Sequence, residues 1–345
     1  MSERLRVAVL MGGRSSEHEV SLVSGASVAK ALDPQRYEVM PVLVGRDGEW
    51  SLDGKPVALA PGSGATGVLA SLDGGPSRLV DVVFPALHGP FGEDGTVQGL
   101  CEIAGVAYVG AGVGASAIAM DKALFKSIAR THDIPVIEST VVTAAEWRDA
   151  PDRMRSQITE QLCYPLFTKP ARLGSSVGIS KVDGPEELDA AIELALRHDP
   201  KVLVERGMVG REVEVGVLGN DDLVLSPVGE IGYDSDWYDY DTKYLPDRMR
   251  LTVPADVPAE TAVRLQDIAR RSFTAIGCAG MARVDFFVEA GGDVRVLEVN
   301  TIPGFTPTSV YAKLFQAAGI AYRDLVERLI ALGIAAAAER ARYLG

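Results

Sequence analysis

The fold of the C-terminal part of the chain is decided by residues 282–300, which read ARVDFFVEAGGDVRVLEVN. Residues 282–288 and residues 294–300 are apolar runs rich in β-branched side chains, a composition typical of buried strands. The Gly-rich segment between the two runs predicts a tight turn. We therefore predict a β-hairpin whose two strands lie side by side in a sheet.

Four polar side chains interrupt the apolar pattern of this hairpin. Side chains alternate faces along a strand, so Arg283 shares a face with Asp285. By the same rule Glu298 shares a face with Asn300, and we expect the four groups to converge. Two carboxylates and an amide suit Mg²⁺, which proteins commonly hold with one or two carboxylates and nucleotide phosphates. A salt-bridged hairpin, with Arg283 paired to Asp285 or Glu298, explains the same residues, so the hairpin alone leaves both interpretations open.

The composition bounds the class of protein. At 345 residues the chain is too long for one hydrophobic core, so we expect two or three domains. With 47% hydrophobic and 23% charged residues, it has an ordinary globular composition. The net charge of -13 argues against a nucleic-acid partner, because nucleic-acid phosphates would be repelled. An anionic substrate must then be met by local positive charge.

The cysteines and the apolar runs bear on the cellular compartment. Cys101, Cys163 and Cys278 are scattered and lack metal-binding spacing. The apolar run at residues 7–11 is too short for the core of a signal peptide, and residues 329–338 are far short of a membrane span. We therefore expect a soluble, cytoplasmic protein without disulfides or membrane contact.

The N-terminal residues predict a β-α-β unit. A strand at residues 7–11 is followed by a Gly-rich turn, a helix that ends near residue 33, and a strand at residues 37–44. This opening is typical of an α/β domain with a doubly wound parallel sheet. The third glycine of a dinucleotide fingerprint is missing, so we reject NAD binding.

Two loops of this sheet carry candidate ligand-binding side chains. Residues 62–76 predict a loop or small insertion, and residues 79–84 a single buried strand that leads into the loop 85–95. Loops after the carboxyl ends of parallel strands are where α/β proteins bind ligands, so we expect Glu17 and His88 to face one crevice. Alternatively, His88 is a turn histidine that caps backbone groups.

The middle of the chain predicts an α+β unit around one lysine. A helix from residue 114 to about 132 precedes it. Lys169 lies inside the short apolar strand 164–170, which Pro170 ends, and the small residues of 174–178 can cover a phosphate with backbone N–H groups. Alternatively, Lys169 only extends its ammonium from the apolar strand into solvent.

Three later segments are candidates for binding and closure. Residues 205–208 form a linker that can offer adenine a backbone edge and an apolar slot, or a plain interdomain connection. Residues 233–245 are polar and aromatic without a period, which predicts a lid, although their aromatics can instead pack the loop onto the surface. Ser309 is the predicted N-cap of a helix whose N-terminus can bind a carboxylate.

Six motifs occur in one order along the chain, at residues 12–21, 88–95, 169–178, 240–244, 283–285 and 298–304. Each motif alone is weak, but the ordered set closely resembles the D-alanine:D-alanine ligase family of the ATP-grasp superfamily. The resemblance implies a three-domain ATP-grasp architecture combining α/β and α+β units. Its domains would be an N-terminal substrate-binding α/β domain at 1–119, a central subdomain at 120–210, and a C-terminal subdomain with metal site and lid at 211–345.

The resemblance implies ATP-dependent ligation of two D-alanine molecules for peptidoglycan synthesis. ATP would phosphorylate the carboxylate of one D-alanine, and the amine of the second would attack the acyl phosphate. The family further implies two Mg²⁺ ions, for which Mn²⁺ can substitute, and a homodimer.

The resemblance also implies roles for individual residues. The metal ligands would be Asp285, Glu298 and Asn300. The ATP contacts would be Lys122, Lys169, Ser176, Glu205, Arg206, Met208, Glu212 and Lys243. The first D-alanine would be held by Glu17 and His88, and the carboxylate of the second by Gly304 and Ser309. Arg283 would stabilise the oxyanion, and Ser175 and Tyr244 would link to Glu17 to close the lid.

Several alternatives stay open beside this interpretation. The nearest is a ligase of the same family that uses D-serine or D-lactate second; Tyr244 favours an amine, because D-lactate ligases typically carry phenylalanine there. Arg206, where lysine is frequent, and Arg172 with Leu173 depart from the family pattern and leave nucleotide affinity open. An ATP-grasp enzyme with another substrate is disfavoured by Glu17 and the His88 loop, and a non-catalytic nucleotide-binding module by the complete metal set.

Overall fold

Three β-sheets follow one another along the chain in the computed structural model, which describes residues 4–63, 66–174, 177–233 and 249–343. The predicted mixture of α/β and α+β architecture is confirmed. Among the described residues, no helix is long and apolar enough to cross a membrane.

The first sheet has eight strands in the order β6-β5-β4-β3-β2-β1-β7-β8. They are β1 Leu5–Gly12, β2 Tyr37–Val44, β3 Trp50–Leu52, β4 Lys55–Pro61, β5 Gly67–Ser71, β6 Arg78–Val80, β7 Val82–Pro85 and β8 Ala107–Tyr108. Strands β2, β1, β7 and β8 are parallel. Helix α1, His18–Ala31, packs on one face of this parallel part and helix α2, Thr96–Ala104, on the other. Both faces are therefore covered, as predicted for a doubly wound sheet.

Two predictions for this sheet were wrong. Residues 62–76 contain β5, which pairs with β4 and β6. The single strand predicted at residues 79–84 is two strands, β6 and β7, separated by Asp81. The Asp81 carboxylate accepts hydrogen bonds from the backbone and guanidinium of Arg6 at 2.5–2.9 Å. These bonds hold the chain at the point between β6, which pairs with β5 in antiparallel orientation, and β7, which pairs with β1 in parallel orientation.

The helix predicted at residues 114–132 is also two helices, α3 Val113–Met120 and α4 Lys122–Thr131. Asp121 between them has an extended backbone (φ -90°, ψ 95°), and its carboxylate accepts a hydrogen bond from Leu124 N. Asp121 is thus the N-cap of α4, and this capping bond favours a break over a continuous helix.

The second sheet is antiparallel, in the order β11-β10-β12-β9. Its strands are β9 Ser139–Thr143, β10 Leu166–Pro170, β11 Ser180–Val182 and β12 Lys201–Arg206. Helices α6 Pro151–Gln161 and α7 Pro185–Leu196 bury apolar side chains against it, and the short α5, Ala144–Asp149, begins with a capping box at Thr143 and Glu146.

The third sheet follows the order β16-β15-β13-β17-β18, with β14 paired to β13. Its strands are β13 Gly210–Gly219, β14 Val224–Leu225, β15 Gly229–Tyr233, β16 Met249–Thr252, β17 Gly280–Glu289 and β18 Val294–Asn300. Helix α8, Ala259–Ala275, packs on one face, and helices α9, Val310–Ala317, and α10, Tyr322–Ala341, complete the chain.

The hairpin of β17 and β18 contains a β-bulge that the sequence did not reveal. Arg283 lies opposite Asn300 and Asp285 opposite Glu298, but Phe286 lies opposite Val296, so β18 carries one extra residue there. Strict alternation would place Glu298 on the same core face as Val296, which is fully buried. The bulge reverses the alternation and places Glu298 opposite Asp285.

Candidate active site

The polar end of the hairpin is held by a buried guanidinium. Arg283 Nε and Nη2 each donate to a different oxygen of Asp285, both at 2.7 Å. Arg283 Nε also lies 3.2 Å from Glu214 Oε2. Glu214 lies in β13 opposite Asp285, and the sequence interpretation missed it. All three side chains are buried. The ion pair that the sequence left open as an alternative is therefore present.

Glu298 and Asn300 contact groups other than Arg283: a lysine of α4 and a backbone N–H, respectively. Lys122 Nζ lies 3.0 Å from Glu298 Oε2 and donates to the carbonyl of Leu173 at 2.9 Å. Burial lowers the pKa of Lys122, but the charge of Glu298 and its hydrogen bond outweigh burial, and the net shift is upward. Lys122 therefore stays charged beside the hairpin. Asn300 Oδ1 accepts a hydrogen bond from Ile302 N at 3.2 Å and fixes the turn that follows.

One cavity brings together residues that are far apart in the sequence. Glu17, Glu93, Lys122, Glu298 and Asn300 all line it. These residues come from two loops of the first sheet, the start of α4 and the end of β18. The cavity thus joins the N-terminal crevice to the hairpin, and Lys122 supplies positive charge among its carboxylates.

The Glu17 carboxylate lies between two glycine-containing loops. A Cβ built on Gly89, whose φ is +74°, would stand 2.7 Å from Glu17 Oε2, so only glycine fits there without a shift. On the other side, a Cβ on Gly174 would stand 3.5 Å from the same oxygen. The loop that follows Lys169 therefore reaches the loop that carries Glu17.

His88 is buried behind the cavity wall. Its Nε2 is 2.9 Å from Ser24 Oγ, and its Nδ1 is 3.1 Å from the carbonyl of Ile302 and 3.5 Å from Glu93 Oε1. Burial lowers the pKa of His88, but the hydrogen bond and charge of Glu93 outweigh it and raise the pKa overall. Burial, with the charge of Glu17, raises the pKa of Glu93. The His88 ring contacts backbone, as in the turn-histidine alternative, and also supports Glu93, to which the sequence interpretation gave no role.

Glu205 is not turned toward a linker slot but is held in the interior. Its carboxylate forms ion pairs with Lys126 of α4 and Lys169 of β10. Burial would raise the pKa of Glu205, but the two lysines outweigh burial and lower it from 4.5 to about 2. Lys126 is a second buried residue that the sequence interpretation missed.

The depressed pKa of Glu205 predicts how stability depends on pH. Because the folded-state pKa lies below the unfolded value of 4.5, the Glu205 charge stabilises the fold above about pH 5. We expect the advantage of the wild type over Glu205→Gln to be lost as the pH falls from 4.5 toward about 2. Urea unfolding of both proteins from pH 2 to 7 measures the difference in free energy of unfolding, and a difference that is independent of pH would contradict the shift.

The other predicted adenine and ribose contacts lie at the junction of the second and third sheets. Arg206 donates to Glu138 at 3.0 Å and to Glu289 at 3.3 Å, so its guanidinium ties β12 to β17. Met208 is half-buried between β12 and β13. Glu212 lies in β13, opposite Phe287.

Ser309 occupies the N-cap position of α9, but the predicted capping hydrogen bond is not formed. Its hydroxyl instead accepts from Thr306 N at 3.0 Å and lies 2.8 Å from Thr306 Oγ1. The first turn of α9 therefore has no side-chain cap. Gly304 lies next to this turn, since a Cβ there would stand 3.3 Å from Ser309 Oγ.

Four predicted site residues, Ser175, Ser176, Lys243 and Tyr244, lie outside the described residues. The predicted lid at residues 233–245 lies outside them as well, except for its first residue, which ends β15.

The polar side chains of the hairpin form a candidate donor set for a metal ion. Within the described ranges, no group of three or more His, Cys, Asp or Glu side chains is arranged to hold one. The predicted set has only two carboxylates and an amide, which matches Mg²⁺ sites that phosphates complete. Both carboxylates already pair with a cationic side chain, Asp285 with Arg283 and Glu298 with Lys122. The charge and chemistry of these ligands therefore fit Mg²⁺.

The three successive sheets, with a lysine and carboxylates meeting in the cavity between them, define the class of the ATP-grasp enzymes. The family models described as D-ala D-ala ligase N-terminus and D-ala D-ala ligase C-terminus match residues 6–111 and 128–331. The chain belongs to the D-alanine–D-alanine ligase family.

Individual members of this family are similar in sequence to the chain over nearly its whole length. The chain is 48% identical to the D-alanine–D-alanine ligase of Deinococcus radiodurans, covering 95% of this chain and 98% of that one. It is 45% identical to the enzyme of the same name from Chlorobium phaeovibrioides, covering 96% and 98%.

Two solved structures show the same fold. One is a D-alanine–D-alanine ligase from Coxiella burnetii, with a TM-score of 0.89, 33% identity and 99% and 97% coverage of this chain and that chain. The other is the VanG D-Ala:D-Ser ligase from Enterococcus faecalis, with a TM-score of 0.85, 36% identity and 96% and 100% coverage.

Proposed function

We propose that this chain joins two D-alanine molecules, at the expense of ATP, into D-alanyl-D-alanine for peptidoglycan synthesis. The observation that carries the proposal is the cavity that joins Glu17 of the first sheet to Lys122, Glu298 and Asn300. It offers a carboxylate for an ammonium at one end and a lysine with carboxylate and amide oxygens for phosphates and a cation at the other. The proposal extends to a homodimeric, cytoplasmic enzyme with domain boundaries near residues 119 and 210.

The first D-alanine is held at the N-terminal side of the cavity. The Glu17 carboxylate pairs with its ammonium, which Coulomb attraction in a partly buried site favours. His88 lies behind Glu93 and fixes the wall against which the substrate carboxyl group rests. Lys122 and Lys169 contact the ATP phosphates and supply the local positive charge that an acidic protein needs there.

Adenine and ribose are placed at the junction of the second and third sheets. The backbone of the segment from Glu205 through Arg206 to Met208 borders the adenine, while the Glu205 side chain stays in the interior, and Glu212 takes the ribose hydroxyls. The ion pairs of Arg206 with Glu138 and Glu289 keep the two sheets together around this slot.

Asp285, Glu298 and Asn300 would hold Mg²⁺. When bound, Mg²⁺ neutralises charge on the transferring phosphoryl group. The protein contributes rigid β-structure and the bulge that places Glu298 opposite Asp285. Mn²⁺ has the same charge and accepts the same oxygen ligands.

The second half of the reaction uses Arg283 and the turn before α9. The amine of the second D-alanine attacks the acyl phosphate, and Arg283 stabilises the oxyanion with a guanidinium that never loses its charge. Ser309 and the backbone of Gly304 hold the second carboxylate at a helix N-terminus without a side-chain cap. The nitrogen loses a proton, the C–O bond to phosphate breaks, and phosphate leaves.

Ser175 and Tyr244 connect to Glu17 when the lid closes. Supporting this, Gly174 already lies against Glu17 in the described part of the loop. Closure excludes water, which would otherwise hydrolyse the acyl phosphate.

A D-alanine:D-serine ligase is the second candidate, because the chain is 36% identical to the VanG D-Ala:D-Ser ligase over its whole length. Release of ADP against D-alanine alone, or D-alanine with D-serine or D-lactate, with and without Mg²⁺, separates the candidates. We expect release with D-alanine alone that depends on Mg²⁺. Release only when D-serine or D-lactate is added would contradict the proposed substrate.

Tyr244→Phe is expected to retain ATP binding and to gain some formation of D-alanyl-D-lactate. The reason is that loss of the phenol hydroxyl removes a group that favours an amine as the second nucleophile. Mass spectrometry of products formed from equal D-alanine and D-lactate measures the ratio of dipeptide to depsipeptide. An unchanged ratio would show that Tyr244 does not select the nucleophile.

A further inference from the structure

Lys126 is a buried charge to which neither the family resemblance nor the proposed reaction gives a role. It lies on α4, one turn after Lys122, and its side chain is only 1% exposed. Its ammonium donates to the carbonyl of Ile137 at 3.2 Å and forms an ion pair with Glu205. A buried ammonium is costly unless it is paired, so its place in the interior calls for a physical reason.

One carboxylate is shared by two lysines. Glu205 pairs through one oxygen with Lys126 and through the other with Lys169. The two lysines differ in exposure, since the Lys169 side chain is 14% exposed and that of Lys126 only 1%. Lys169 is therefore the one with access to a ligand, and Lys126 is the one enclosed with Glu205.

This asymmetry has a consequence when an anion binds. If Lys169 turned toward a phosphate and Glu205 had no other partner, a buried carboxylate would be left uncompensated, which is strongly unfavourable. With Lys126 in place, Glu205 remains paired. The two lysines and one carboxylate also carry a net positive charge, which attracts an anion.

We propose that Lys126 is a positioning residue for the nucleotide, which keeps Glu205 neutralised so that Lys169 is free to leave Glu205 for the phosphates of ATP. This rests on the role proposed above for Lys169. The depressed pKa of Lys126, caused by burial and by the charge of Lys169 against the opposing pull of Glu205, agrees with two lysines competing for one carboxylate.

The test is Lys126→Met, which removes the charge and keeps a chain of similar length. We expect KM for ATP to rise about tenfold or more, because Lys169 must then break an ion pair with an otherwise unpaired buried carboxylate. KM for D-alanine and kcat are expected to change less than about twofold, since Lys126 touches neither substrate nor Mg²⁺ ligands. The matched control is Lys181→Met in β11, an exposed lysine paired with Asp183, which should keep the wild-type KM for ATP.

A double-mutant cycle tests the route through Glu205. In a Glu205→Gln background, adding Lys126→Met should change KM for ATP less than about twofold, because the charge on which Lys126 acts is gone. If Lys126→Met does not yield folded protein, Lys126→Gln, which retains a donor for Ile137, serves in its place with the same expected rise.

Two outcomes overturn the inference. One is a variant with a lowered Tm but a wild-type KM for ATP, which would make Lys126 purely structural. The other is an equal rise in KM in the Glu205→Gln background. Both presuppose an enzyme that releases ADP with D-alanine, whereas failure of the wild type to do so would refute the proposed ligation itself.

Discussion

Replacing Glu298 by alanine is expected to leave a folded protein whose ADP release with D-alanine falls by at least about 10²-fold, as when one preorganised charge is removed from an active site. Glu298 lies opposite Asp285 and pairs with Lys122 at 3.0 Å. Its loss removes a carboxylate ligand for Mg²⁺ and the partner that keeps Lys122 in place. The side chain is 30% exposed, so we expect the fold to tolerate its truncation. Steady-state ADP release and Tm measure the two effects.

The same hairpin offers a matched control. Asp293 is an exposed carboxylate in the turn between β17 and β18, and Asp293→Ala is expected to keep wild-type turnover. Glu298→Gln keeps the size of the side chain but not its charge, and should be nearly as inactive as alanine. Wild-type turnover in Glu298→Ala would remove the metal role from this residue.

Arg283→Lys is expected to lower kcat about 10²–10³-fold, although it keeps a positive charge. An ammonium cannot form the bidentate pair that Arg283 makes with Asp285 and cannot reach Glu214 at the same time. Its charge would therefore be misplaced for the oxyanion. Because Asp285 and Glu214 lie opposite each other in the sheet, weaker neutralisation should also lower Tm.

The control for Arg283→Lys is Arg295→Lys in β18. Arg295 is half-buried in the same hairpin and lies 3.9 Å from Glu138 and 4.0 Å from Asp293, beyond hydrogen-bonding distance. The Arg295→Lys variant should keep the wild-type kcat and a Tm close to that of the wild type. If Arg283→Lys lowered Tm but kept kcat, Arg283 would serve only the salt-bridged hairpin, and the oxyanion role would be wrong.

Strands with a clear apolar pattern could be predicted from the sequence. The strand predicted at residues 37–44 is β2 with the same bounds, and the hairpin of residues 282–300 forms as expected. In both cases the β-branched runs are long enough to define a strand without tertiary information. The helix break at Asp121 had a visible signal, since aspartate is a preferred N-cap, but the apolar period on both sides hid it.

The bulge in β18 could not be predicted in this way. Period-two alternation places Glu298 on the core face with Val296, and only the shifted pairing with β17 reveals that it faces Asp285. Convergence of the polar groups thus depends on one extra residue in β18. That residue is recognised only from the pairing of β18 with β17, which the sequence of one strand does not show. Glu214, on the neighbouring strand β13, was missed for the same reason.

The burial of Lys126 also depends on tertiary packing. In the sequence it is an ordinary helical lysine, and only the packing of α4 against β12 places it beside Glu205. One signal was available: Lys122 and Lys126 are four residues apart and share a helix face, so a site that uses one brings the other close. Glu93 had a similar signal, since it lies in the loop that carries His88.

The central claim is that ligation proceeds through an acyl phosphate of D-alanine, and the fate of an ¹⁸O label tests it most directly. When the amine attacks the acyl phosphate, the C–O bond breaks and the carboxylate oxygen leaves with the phosphate. With D-alanine labelled in both carboxyl oxygens, mass spectrometry should find one ¹⁸O in each phosphate and one fewer in the D-alanyl-D-alanine than in the two substrates. Unlabelled phosphate, released together with the dipeptide, would contradict the account.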